Sequence, residues 1–76
     1  MNEYTEKQLT SFMGILKALN LTKEEILGIC SFLETEEMMI TMLDRLEEKD
    51  FKLTPQETMN ICGGVIKEYL EKINAR

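Results

Sequence analysis

Four threonines mark the starts of four predicted helices, and this pattern limits the fold more than any other feature of the chain. Three of them are followed three positions later by Gln or Glu, in the pairs Thr5 with Gln8, Thr22 with Glu25, and Thr54 with Glu57. In such a capping box the threonine hydroxyl accepts a hydrogen bond from a first-turn amide, and the Gln or Glu accepts one from the threonine amide. The fourth threonine, Thr35, precedes two glutamates whose charges favour a helix N-terminus.

The helices that these starts predict span residues 6–19, 23–33, 36–49 and 55–74. Within each, apolar residues recur at intervals of three and four, which is the helical period. These core stripes comprise Leu9, Phe12, Leu16 and Leu19, then Ile26, Ile29, Cys30 and Leu33, then Met39, Met42 and Leu46, and finally Met59, Cys62, Ile66, Tyr69 and Ile73. Short connections make successive helices neighbours. We therefore predict an all-α fold, with one four-helix domain over residues 1–76 made of two packed helical hairpins.

A ten-residue similarity within the chain raises the question of internal duplication. Residues 21–30 match residues 53–62 at five of ten positions. Capping alone explains the shared Thr and Glu, so the shared Leu, Ile and Cys are the informative identities. Two interpretations stay open, a duplicated hairpin and coincidence. Duplication would place Cys30 and Cys62 at equivalent positions.

The charge and hydropathy of the chain exclude several classes of partner. The chain contains nine basic and fourteen acidic residues, which gives a net charge of -5. The basic surface that binds phosphate backbones is therefore missing, and we expect no nucleic-acid partner. No run of about 20 apolar residues predicts a membrane segment. The N-terminus does not resemble a secretion signal. We therefore expect a cytoplasmic protein whose Cys30 and Cys62 remain thiols.

The chain also lacks the residue types of common catalytic and metal sites. It contains no histidine, so neither cysteine has a histidine base and the carboxylates lack the histidines of a di-metal bundle. Both cysteines lie on predicted core stripes, where small buried side chains are typical. We predict a protein that is not an enzyme and that binds no cofactor, metal or small-molecule ligand.

Two adjacent glycines, Gly63 and Gly64, lie inside the fourth predicted helix. Each weakens a helix by roughly 1 kcal/mol relative to alanine. We expect a packing reason, namely the close approach of another helix of the same domain. The alternatives are the close approach of another chain, or a kink that shapes a groove.

Five apolar side chains lie beside or away from the predicted core stripes, and they are the candidate partner surface: Leu27, Phe32, Met38, Ile40 and Ile61. All but Met38 are roughly 110–130° from the centre of the stripe on their own helix, and Met38 widens the apolar side of the third helix. Either the helices wrap around one another and bury these residues, or the residues form an exposed patch for self-association or a partner.

The resulting hypothesis is a small non-enzymatic protein–protein interaction module of unknown pathway. It would self-associate as a homodimer or bind a helical partner. The alternative is an acidic helical regulator, either an antagonist, a nucleic-acid mimic or a helix-turn-helix-like protein, that acts on a protein or DNA partner. Direct DNA binding is disfavoured because the third helix exposes Glu36, Glu37 and Asp44, which phosphates would repel.

Overall fold

The computed structural model describes residues 4–74, and the chain is helical as predicted. The four helices are α1 (Glu6–Ala18), α2 (Lys23–Ser31), α3 (Glu36–Glu47) and α4 (Pro55–Asn74). Within residues 4–74 the chain forms no β-strand. The all-α prediction is therefore confirmed, and each helix begins at the predicted residue.

The threonine caps account for those starting points. The side chains of Thr5, Thr22 and Thr54 each accept from the amide three residues later at 3.1–3.2 Å. The matching Gln or Glu oxygen accepts from the threonine amide at 2.7–2.9 Å. Thr35 accepts from the amide of Met38 at 3.1 Å. Each cap satisfies backbone donors that have no partner inside the helix.

Helices α1 and α3 end in the same hydrogen-bonded turn. The amide of Leu21 donates to the carbonyl of Leu16 at 3.2 Å, and the amide of Phe51 donates to the carbonyl of Leu46 at 3.1 Å. Both turns pass through a residue with positive φ, 68° at Asn20 and 54° at Asp50. This is the Schellman arrangement, in which a left-handed residue reverses the chain after a helix. The two hairpins therefore share their turn, which is compatible with both interpretations of the ten-residue similarity.

Each hairpin is antiparallel, because contacts join the start of one helix to the end of the next. The Tyr4 hydroxyl, just before α1, donates to the carbonyl of Leu33, just after α2, at 2.8 Å. In the second hairpin, Glu37 and Met38 at the start of α3 line one groove together with residues of the last turns of α4, including Ile73. Helix α2 also contacts α4, which joins the two hairpins.

The core consists of the predicted stripes of α1, α2 and α3, together with a shifted face of α4. Its buried apolar members are Phe12, Leu16, Leu19, Leu21, Ile26, Ile29, Leu33, Met38, Met39, Met42, Leu46, Cys62 and Val65. On α4 the prediction is partly wrong, because Met59, Ile66 and Tyr69 are only partly buried and Ile73 is exposed. The buried face of α4 instead includes Thr58, which is fully buried. Its hydroxyl donates to the carbonyl of Thr54 at 3.0 Å, so this polar side chain is buried with its donor satisfied.

The expectation that another helix lies close to Gly63 and Gly64 is wrong. A Cβ atom built on either glycine meets nothing within 4 Å beyond its own helix segment. Neither glycine has a positive φ. The structure therefore gives no packing or backbone reason for these glycines within the described domain.

Candidate interaction surface

Three of the five predicted surface residues are exposed. The exposed fractions are 49% for Leu27, 52% for Phe32 and 47% for Ile40. Ile61 is partly buried and packs against the core. Met38 is only 5% exposed, so its assignment to the surface is wrong. It lies in the first turn of α3, where Met39 is also buried, because this turn is covered on more than one side.

Each of the exposed candidates borders a different groove. Leu27 borders a groove between α1 and α2 that also contains Met13 and Lys17. Ile40 borders one between α1 and α3. Phe32 borders a third groove, next to the second half of α4. None of these three grooves is lined by more than one of the three side chains.

The third groove, which we call the Phe32 groove, is lined by three of the six large apolar side chains that are exposed within residues 4–74, namely Phe32, Leu70 and Ile73. It has a volume of about 230 Å³, and its apolar lining comprises Phe32, Met38, Ile66, Tyr69, Leu70 and Ile73. The four α4 residues among them follow the i, i+3, i+4, i+7 spacing that places side chains on one helix face. Leu70 is 46% exposed and Ile73 is 54% exposed. The groove is thus an apolar helix face beside an exposed phenylalanine.

The connection between α2 and α3 positions the phenylalanine wall of this groove. Phe32 caps α2, and its amide donates to the carbonyl of Ile29 at 3.1 Å. The next residue, Leu33, is buried, and its carbonyl accepts from Tyr4. Because Leu33 is fixed in the core, Phe32 is directed outward. The cap at Thr35 then starts α3 and places Met38 on the groove floor.

The rim of the Phe32 groove carries opposite charges on its two walls. Glu34 and Glu37 lie on the wall formed by the α2–α3 connection and the start of α3, and Lys72 lies on the α4 wall. The Lys72 ammonium is 5.4 Å from the centre of the Tyr69 ring, within the range of a cation–π contact. The groove therefore has an apolar centre between an acidic wall and a basic wall.

A polar cleft of about 570 Å³ lies on another side of the α3–α4 contact and shares Glu37, Tyr69 and Lys72 with the groove. Its main feature is a bidentate pair, in which the two terminal nitrogens of the Arg45 guanidinium, Nη1 and Nη2, donate to the Glu68 carboxylate at 2.5 and 3.2 Å. The hydrogen bond from Arg45 lowers the pKa of Glu68. Removal from water raises the pKa of Tyr69. These contacts join α3 to α4.

The two cysteines lie in the interior rather than at an activated surface site. Cys62 is buried and Cys30 is half-buried, and both are free thiols. Burial raises the pKa of both thiols, and that of Cys62 reaches about 11. A catalytic cysteine needs a lowered pKa because the thiolate is the nucleophile. Both groups are therefore protonated at neutral pH and suited to core packing.

Sequence reasoning missed three exposed apolar residues, namely Leu70, Ile73 and Phe51. The apolar spacing places Ile73 on the predicted core stripe of the fourth helix. Leu70 belongs neither to that stripe nor to the candidate partner surface, although its spacing from Ile66 and Ile73 indicates that they share a helix face. The exposed stripe could have been found by noting that apolar residues cover more of this helix than one core face requires.

Comparison with protein-family models, with curated proteins and with solved structures finds no match to this chain. Among the described residues, no group of three or more Cys, Asp or Glu side chains is placed to hold a metal ion. No helix within residues 4–74 has both the length and the apolar character that crossing a bilayer requires.

Proposed function

We propose that this domain is a non-enzymatic protein–protein interaction module that binds a helical surface through the Phe32 groove. The observation that carries the proposal is the convergence of Phe32, Leu70 and Ile73, each about half exposed, on one groove. Apolar side chains exposed singly are ordinary on a protein surface, whereas a contiguous apolar patch marks a contact site.

The energetics of the groove support this role. Full burial of a Leu, Ile or Phe side chain contributes about 1.5–3 kcal/mol, so covering the exposed halves of these three gives a partner roughly 2–4 kcal/mol. The floor is preformed, because Met38 belongs to the core. A preformed site loses less conformational entropy on binding than a flexible one.

A non-enzymatic role in the cytoplasm is part of this proposal. The raised pKa values of Cys30 and Cys62 argue against nucleophilic chemistry at either thiol. Unpaired cysteines are typical of reducing compartments. Both features agree with a domain whose work is binding.

Site-specific photocrosslinking tests the proposal. A photoreactive amino acid replaces Leu70 in the groove or, as the control, Thr10, an exposed residue of α1. In the cells that produce the protein, irradiation of the Leu70 variant should give a discrete adduct of higher mass, and the Thr10 variant should not. Absence of any adduct from position 70, or equal adducts from both positions, would contradict the proposal.

A further inference from the structure

We propose that the occupant of the Phe32 groove is the second half of α4 from another copy of this chain, in a two-fold symmetric dimer. This inference rests on the proposed interaction function and names its partner. In such a dimer each copy supplies both a groove and the helix that fills the groove of the other copy. The same surface patch then serves on both sides, as a two-fold interface requires.

The distribution of charge around the groove favours a second copy over another kind of partner. Glu34 and Glu37 lie on one wall and Lys72 on the other. A two-fold axis parallel to the groove places the α4 wall of each copy against the acidic wall of the other, so Lys72 faces the two glutamates twice. A partner of uniform charge would be attracted to one wall and repelled by the other, which makes the rotated copy the better electrostatic match.

Helix α4 also has the surface of a suitable occupant. Leu70 and Ile73 project from it as exposed apolar side chains. Lys67 lies three positions before Leu70, which makes the two side chains neighbours on the helix surface, and 78% of the Lys67 side chain is accessible. Of the nearby acids, Glu68 is paired with Arg45, and Glu71 lies 4.0 Å from the Lys67 ammonium on the same helix. Both side chains of the Lys67–Glu71 pair are mostly exposed, so the pair is weak and Lys67 can exchange it for an acidic wall.

Gly63 gives a second, independent reason for close helix contact between copies. It lies seven positions before Leu70, and this spacing puts both residues on the same helix face. A Cβ atom at Gly63 would meet nothing within 4 Å, so the domain itself does not need a glycine there. A residue without a side chain lets another helix approach the backbone closely, and a second α4 crossing this face would use that space.

The first test is the dimerisation constant of the purified full-length chain, measured by analytical ultracentrifugation over a range of concentrations. We expect a monomer–dimer equilibrium. Leu70→Ser should weaken it by about 10- to 100-fold, because each copy loses a half-buried apolar contact worth roughly 3- to 10-fold in affinity. The matched control is Leu27→Ser, which removes an equally exposed leucine from a different groove and should leave the constant unchanged. A strictly monomeric parent chain would overturn the inference.

The second test exchanges the charges of the two walls. The double variants Glu34→Lys/Glu37→Lys and Lys67→Glu/Lys72→Glu should each dimerise about ten-fold more weakly, because like charges then face each other across the rim. An equimolar mixture should regain the parental affinity as a heterodimer, which also shows that both variants fold. Failure of the mixture to regain affinity would overturn the charge-matched arrangement.

The mass of the adduct from the Leu70 photocrosslinking experiment separates this inference from the function on which it rests. An adduct of twice the chain mass supports the dimer. Adducts with a different protein alone would overturn the dimer and leave the interaction function intact. Absence of adducts would overturn both.

Discussion

The polar cleft and the Phe32 groove both border helices α3 and α4, but their side chains find partners in different ways. In the polar cleft, Arg45 and Glu68 form a bidentate pair that joins α3 to α4 within one molecule. In the Phe32 groove, Leu70 and Ile73 keep about half of their surface in water. One well-placed ion pair can therefore complete a polar contact within a small domain. Apolar side chains need area instead, which in our proposal comes from another molecule.

The largest expected effect tests whether the groove floor belongs to the core. Met38→Ala should lower the free energy of unfolding by about 2–5 kcal/mol, because it leaves a cavity under the groove. The matched control is Ile40→Ala on the same helix, which removes a half-exposed side chain and should cost about 1 kcal/mol. Urea denaturation monitored by circular dichroism gives both values. Equal losses would show that the floor is not fixed and would break the contrast between the two sides.

A smaller effect, of opposite sign, sharpens the assignment of the α4 face. Gly63→Ala should raise the free energy of unfolding of the monomer by about 1 kcal/mol, since alanine favours a helix and meets no neighbour here. Gly28→Ala in α2 is the matched control and should stabilise by a similar amount. If Gly63 faces a second chain, only Gly63→Ala also weakens dimerisation. Destabilisation of the monomer by Gly63→Ala would mean that a neighbour within the domain contacts this face.

The smallest effect concerns the pH dependence of the polar cleft. Glu68 is more acidic when folded, because Arg45 donates to it and lowers its pKa. A depressed folded pKa contributes stability that is fully present above the unfolded value, about 4.3, and is lost as the pH falls through the folded value. Glu68→Gln should therefore lower the urea midpoint slightly at pH 7 and by less as the pH falls below the unfolded value. A shift of the same size at pH 7 and at acidic pH would assign the effect to packing instead of charge.

The helix starts were predictable because their chemistry is local. Each cap needs only a threonine and the residues of the first turn that follow it, and all four helices begin where those threonines indicate. The helix ends were less predictable. Helix α3 gives way to a Schellman turn at Asp50 and Phe51, where two residues other than glycine adopt positive φ. Nothing in the local sequence required this conformation.

The candidate site was only partly predictable, because a helical wheel gives direction but not depth. The angles of Phe32 and Leu27 on α2 placed them away from the core stripe but left burial and exposure open, and both side chains are exposed. The burial of Met38 depends on how neighbouring elements cover the first turn of α3, which is a tertiary property. Ile73 lies roughly 20° around α4 from the fully buried Cys62, so its exposure follows from its position in the last turn of the helix and not from its angle.

The shared turns of the two hairpins also bear on how the chain reaches its native state. Each turn closes over a few residues, and each brings together helices that are consecutive in the sequence. Chains dominated by such local pairings have low contact order and fold within microseconds to milliseconds. We therefore expect each molecule to finish folding before it meets another. The rate at which the proposed dimer forms should then fall on dilution, whereas the folding rate should not change.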